Sequence, residues 1–143
     1  MYDQNNVFAK ILRGEIPSFK VYEDAQVLSF MDAMPQSEGH TLVIPKVEAR
    51  NFFDIAPAAL ADLIKATQYV AKGVQQALKP DGMRIIQFNE SAAGQTVFHI
   101  HFHILPCYEG VELRGHTRDW GDKGVLAAQA EKIRAALATL PPR

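Results

Sequence analysis

Cysteine is almost missing from this chain. Cys107 is the only thiol, so no disulfide framework forms within one copy. No apolar run approaches the roughly 20 residues that a membrane-spanning helix needs. The opening residues 1–6 carry neither the basic region nor the apolar stretch of a secretory signal. An excess of one charge sign is missing too: 15 Lys and Arg face 16 Asp and Glu. That balance excludes the broad basic field of a non-specific nucleic-acid binder, while leaving room for a small anion held by local dipoles. Repeats, low-complexity tracts and Ser-, Gly- or Pro-rich linkers are also lacking. The 143 residues therefore read as a single cytoplasmic domain, with no nucleic-acid or membrane partner.

The pattern of what remains is mixed α and β. Asn5 or Asn6 is placed to cap a short helix through Val7, Phe8, Ile11 and Leu12 that ends at Gly14. Residues 20–23 and 27–31 read as strands around a tight Asp24-Ala25 turn, and 40–45 as a third strand closed by Pro45. Leu60, Leu63, Ile64, Thr67, Val70, Ala71, Val74 and Leu78 recur at helical spacing over 57–78. Pro57 suits the first turn of that helix, and Pro80-Asp81-Gly82 stops it. Residues 83–89 and 98–105 read as two more strands, and 125–138 as a last helix. The expected fold is α+β: an antiparallel five-stranded sheet with one long helix packed on it, plus short N- and C-terminal helices. Its open edges need cover, which dimerisation through a strand or helix supplies.

Three of the five histidines stand on alternate positions: His99, His101 and His103. In a strand they share one face, while Phe98, Ile100, Phe102 and Ile104 enter a core. One reading is a solvent-facing strand that happens to use histidine. A second is a metal site, with two of the three as ligands and His40 completing the set. Convergence of all three on one ion is hard, because His99 and His103 lie about 13 Å apart along a strand. A third reading is a row matched to an extended phosphate chain, in which the middle histidine attacks and its neighbours donate hydrogen bonds or protons. Histidine suits both tasks because its reference pKa lies at about 6.5.

Asn89 to Thr96, rich in small residues, runs directly into this row. Its N–H groups suit an anion-binding nest, with the Asn89 amide and Thr96 hydroxyl as added donors. Asp32 ends the second strand, where a turn residue is the default and a ribose-binding carboxylate the functional reading. His40 alone reads as a strand-surface histidine. Cys107 carries no sign of activation.

The run His99-Ile100-His101-Phe102-His103-Ile104-Leu105 resembles the signature of the histidine-triad (HIT) superfamily, in which three histidines alternate with apolar residues. Residues 8–18, 29–32, 39–46, 89–90 and 94–97 resemble further segments of that family, in order, over a core of about 5–106. The resemblance implies a homodimeric purine nucleotide hydrolase in which His101 forms a nucleotidyl-histidine that water then cleaves. It assigns His103 to the phosphate and leaving-group side, and His99 and His40 to holding the row. The His99 carbonyl would fix the His101 tautomer. Asp32 would take the ribose hydroxyls, and Asn89, Gly94, Gln95 and Thr96 the phosphates. Phe8, Ile11, Ile16, Phe19 and Phe30 are base-pocket candidates that read by default as core. Many bacterial relatives carry a Cys-x-x-Cys near the start that joins a structural zinc. The matching Asn5–Ala9 stretch has no cysteine, so neither metal nor other cofactor is expected. The transferase branch replaces the third histidine by glutamine, and His103 here favours hydrolysis. The expected substrates are nucleoside phosphoramidates and acyl adenylates. A dinucleoside polyphosphate hydrolase and a nucleotide-binding scaffold with little turnover stand as alternatives. In residues 107–143, Arg114, His116, Arg118 and Trp120 are surface-loop residues by default. By the resemblance, this segment approaches the site and selects the leaving group.

Overall fold

The computed structural model describes residues 1–115 and 119–143. His116 and Arg118, two of the four C-terminal candidates, lie outside the described residues. The elements run α1 (Val7–Leu12), β1 (Lys20–Glu23), β2 (Val27–Met31), β3 (Thr41–Pro45), α2 (Pro57–Leu78), β4 (Gly82–Ile86), a 3₁₀ turn (Ser91–Ala93), β5 (Phe102–Cys107) and α3 (Lys123–Leu137). The strands form one antiparallel sheet in the order β1-β2-β3-β5-β4, as the α+β reading expects.

Period-2 alternation divides the sheet between two cores. Val27, Met31, Val43, Ile100 and Ile104 pack against Leu63, Val70 and Val74 of α2 and Leu126, Ile133 and Leu137 of α3. Leu28, Phe30, Leu42 and Ile44 take the opposite face, with Phe8, Ile11 and Leu12 of α1. The long helix therefore covers one face, as expected, and α3 joins it there. The short α1 covers part of the other. Among the described residues, no helix is long and apolar enough to cross a membrane.

Three strands differ from their expected bounds, β3 only by starting at Thr41 rather than at residue 40. β4 ends at Ile86 rather than at residue 89. Beyond it, the Gln87 and Asn89 side chains bond each other, and Asn89 Oδ1 accepts the Phe52 N–H at 2.9 Å. β5 starts at Phe102 rather than at residue 98. The alternation nevertheless extends upstream: Ile100 faces the helical core while His99 and His101 face away. Phe98 is the exception. It stays half-buried outside the core, with the Arg50 guanidinium 4.2 Å from its ring centroid.

Asn6 caps α1 by accepting the Ala9 N–H at 2.9 Å. Asn6→Ala is expected to cost about 1 kcal/mol, read as a lowered denaturant midpoint.

Candidate active site

Two strands and one loop set the histidines side by side. His103 sits on β5 opposite Leu42 of β3 and Ile86 of β4. His40 immediately precedes β3, on the same face as Leu42 and Ile44. His99 and His101 lie on the extended segment that leads into β5. All four are buried, with His40 and His99 at 0%, His103 at 4% and His101 at 7% exposure. Histidines on the outer face of a sheet would be solvated. Here they are covered, which removes the solvent-facing reading.

Backbone partners settle the tautomers, because a carbonyl only accepts and an amide N–H only donates. His101 Nδ1 lies 2.7 Å from the His99 carbonyl, so Nδ1 carries the hydrogen and the neutral ring's lone pair is on Nε2. His99 Nε2 lies 2.8 Å from the Pro45 carbonyl and donates to it. The His99 lone pair is then on Nδ1, where the Tyr2 hydroxyl donates. Burial lowers the His99 pKa and keeps this ring neutral. The Gln36 N–H donates to His40 Nδ1 at 3.1 Å, so His40 donates from Nε2 to His103 Nδ1 at 2.9 Å. The hydrogen of neutral His103 is then on Nε2.

Asp32 follows Leu28 and Phe30 on the same face. Its Oδ1 accepts the Met34 N–H at 2.8 Å, and its Oδ2 lies 3.4 Å from His40 Nε2. Burial pushes its carboxyl up to about 6. Among the described residues, ligand atoms of Asp32, His40 and His103 lie within 4.8 Å of one another. They do not fit a metal ion in this arrangement, because His40 Nε2 carries the hydrogen bonded to His103 Nδ1. Both His99 nitrogens are also engaged, by Tyr2 and the Pro45 carbonyl, so His99 does not serve as a ligand in the alternative metal reading.

The loop after β4 is built differently from an open anion nest. The N–H groups of Ala93, Gly94 and Gln95 all bond to carbonyls within the turn, so these three do not point at a ligand. Gln95 is a buried hub rather than a surface donor. Its Oε1 accepts the Glu90 N–H at 2.7 Å, and its Nε2 donates to the carbonyls of Arg50 and Val97. Glu90 has φ of 72°, rare for a residue with a Cβ. It is held there by a two-pronged pair with Arg50, both contacts at 2.8 Å, and by the Asn51 amide. That pairing lowers the Glu90 carboxyl to about 2. Gly94 has φ of +104° with the Phe88 ring beside it, where a Cβ would be strained. Thr96 is exposed.

Of the apolar candidates, Phe8 stands 4.8 Å from the His101 ring and 5.4 Å from Phe30, edge-on to both. Ile11 packs with them. Phe19 does not join: it packs on the helical core. Ile16 is half-buried. Phe88, with its ring centroid 5.6 Å from that of His103, is a further neighbour of the site, and two-residue spacing from Ile86 marks it. Arg50, Asn51 and Tyr2 carry no local signal, since their partners lie 40, 39 and 97 residues away. The C-terminal segment reaches the loop that supports His40: the Arg114 N–H bonds the Gln36 carbonyl, and the Gly121 N–H that of Ala33.

Comparison with known proteins gives the family of this fold. The HIT domain family model matches residues 13–110. The chain belongs to the HIT family. A Hit-like protein involved in cell-cycle regulation from Bartonella henselae superposes on this HIT protein with a TM-score of 0.90 at 51% identity, covering 95% of this chain and 98% of that one. Protein hit of Bacillus subtilis is 40% identical over 105 residues, 73% of this chain and 72% of its own length. Adenylylsulfatase HINT3 of Arabidopsis thaliana is 37% identical over 100 residues, 70% of this HIT chain and 51% of its own length. The HIT superfamily is one of nucleotide-binding proteins and hydrolases.

Proposed function

We propose that this HIT protein is a nucleotidyl hydrolase that cleaves substituted purine nucleoside 5′-monophosphates, phosphoramidates and acyl adenylates, through a covalent intermediate on His101. The 2.7 Å bond from His101 Nδ1 to the His99 carbonyl carries this reading, because it leaves the nucleophilic lone pair on Nε2. Nε2 attacks the α-phosphorus, the P–N bond forms, and the bond to the leaving group breaks. Water then attacks the phosphorus and restores His101. Its OH stays on phosphorus, and its proton balances the one the leaving amine takes. His103, 4.9 Å from His101 between ring centroids, is placed to relay that proton. Asp32 takes the ribose hydroxyls, Phe8, Ile11 and Phe30 flank the base, and the exposed Thr96 approaches the phosphates from a loop that Gln95 and Glu90 hold in shape.

We read residues 1–143 as one HIT unit working as a homodimer. The β4 edge supports the dimer: Ile85 is 46% exposed on a strand with one neighbour, an edge that a second copy covers. Adenosine 5′-phosphoramidate is expected to turn over faster than a diadenosine polyphosphate, compared as kcat/KM. Preference for the dinucleotide would reverse the substrate assignment.

A further inference from the structure

We propose that Tyr2 is a positioning residue for His101, acting through His99. This rests on His101 being the nucleophile. The Tyr2 hydroxyl bonds His99 Nδ1, a link across 97 positions of the chain. The two rings also meet edge-on, with centroids 5.6 Å apart. The opening segment is secured for this task. Asn5 N and Asn6 Nδ2 bond Asp3, and Arg13 Nη1 donates to the Gln4 carbonyl at 2.8 Å. Burial raises the Tyr2 pKa, so the phenol keeps its proton and donates.

The consequence follows along a chain of hydrogen bonds. With Tyr2 donating to Nδ1, the hydrogen of neutral His99 stays on Nε2, where the Pro45 carbonyl takes it at 2.8 Å. His99 is thereby held at both ring nitrogens, on two elements far apart in sequence. Its own carbonyl receives His101 Nδ1–H, so anchoring His99 aims the ring that attacks phosphorus. Without the phenol, Nδ1 of a fully buried ring loses its partner, and the ring is held only through Nε2, so other rotamers of His99 become accessible. The effect belongs to orientation in the transition state rather than to nucleotide binding.

Tyr2→Phe tests this, because it keeps the ring and removes only the hydroxyl. Two measurements are made on the variant and the parent: ¹⁵N NMR of the histidine rings without ligand, and steady-state hydrolysis of adenosine 5′-phosphoramidate. The Nδ1 signal of His99 is expected to move downfield as it loses its donor and to broaden as the ring gains freedom, while the hydrogen stays on Nε2 opposite the Pro45 carbonyl. kcat is expected to fall about tenfold with KM within about twofold. An unchanged His99 Nδ1 signal and unchanged kcat, with or without a lower melting temperature, would reduce Tyr2 to packing and overturn the proposal. If the parent turns over independently of His101, the nucleophile assignment fails by itself. The NMR arm then still decides whether Tyr2 anchors the His99 ring at Nδ1.

Discussion

His101→Ala is expected to lower the hydrolysis of adenosine 5′-phosphoramidate by at least about a thousandfold in kcat, with nucleotide affinity largely retained. The affinity survives because the groups assigned to the ribose and base sit elsewhere: Asp32 on the turn after β2, Phe8 and Ile11 on α1, and Phe30 on β2. What is lost is the lone pair held on Nε2 by the His99 carbonyl. His99 does not substitute, since its ring bonds Tyr2 and Pro45. Neither does His103, whose Nδ1 faces His40 and whose Nε2 bears the hydrogen in the neutral tautomer. Direct attack by water is all that remains. Isothermal titration with AMP and single-turnover kinetics separate the two effects. A variant that binds AMP weakly but turns over bound substrate at the parent rate would show His101 to be a binding group.

Asp32→Asn is expected to stabilise the folded protein by up to about 3 kcal/mol at pH 8, and by almost nothing at pH 4. The sign follows from the direction of the shift. Burial raises the folded carboxyl from 3.8 to about 6, so the folded state binds that proton more tightly than the unfolded chain. Stability contributed by this group is present below about pH 4 and is lost as pH rises to about 6. Above that, the native protein holds a buried charge with little compensation. His40 is the nearest partner at 3.4 Å, and its neutral ring already donates to His103. Asparagine removes the charge and still accepts the Met34 N–H. The same change is expected to weaken AMP binding, since a neutral amide accepts less strongly from the ribose hydroxyls. Denaturant unfolding at the two pH values reads the effect. An equal gain at both, or a loss at pH 8, would contradict a buried ionised Asp32.

Legibility in the sequence divides along a physical line. Local regularities were readable. The 3.6-residue spacing of Leu63, Thr67, Val70 and Val74 marked α2, and the two-residue spacing of the histidines placed them on one face. Asn6 was marked as one of two possible caps of α1. What the spacing left unstated was how far the ladder of hydrogen bonds runs: β5 begins at Phe102, yet His99 and His101 keep the alternation ahead of it. Phe98 lies outside the core, under the guanidinium of Arg50, 48 positions earlier. Phe19 joined the helical core rather than the aromatic pair at His101, since burial alone does not say which side of a sheet a residue takes. The loop at 89–96 was legible as a loop near the site. Its wiring through Gln95, Glu90, Arg50 and Asn51 depends on contacts about 40 residues apart, as Tyr2 does on His99. Such side-chain pairs carry no period, and only the folded chain brings them together.

The central claim is that His101 bonds covalently to the nucleotide's phosphorus. Rapid acid-free quenching during turnover of adenosine 5′-phosphoramidate, followed by peptide mass spectrometry, tests it most directly. The account predicts an added adenylyl group on the peptide bearing His101, localised to that residue and absent from His101→Ala. Turnover at the full rate with no adduct, or with the group on His99 or His103, would contradict it.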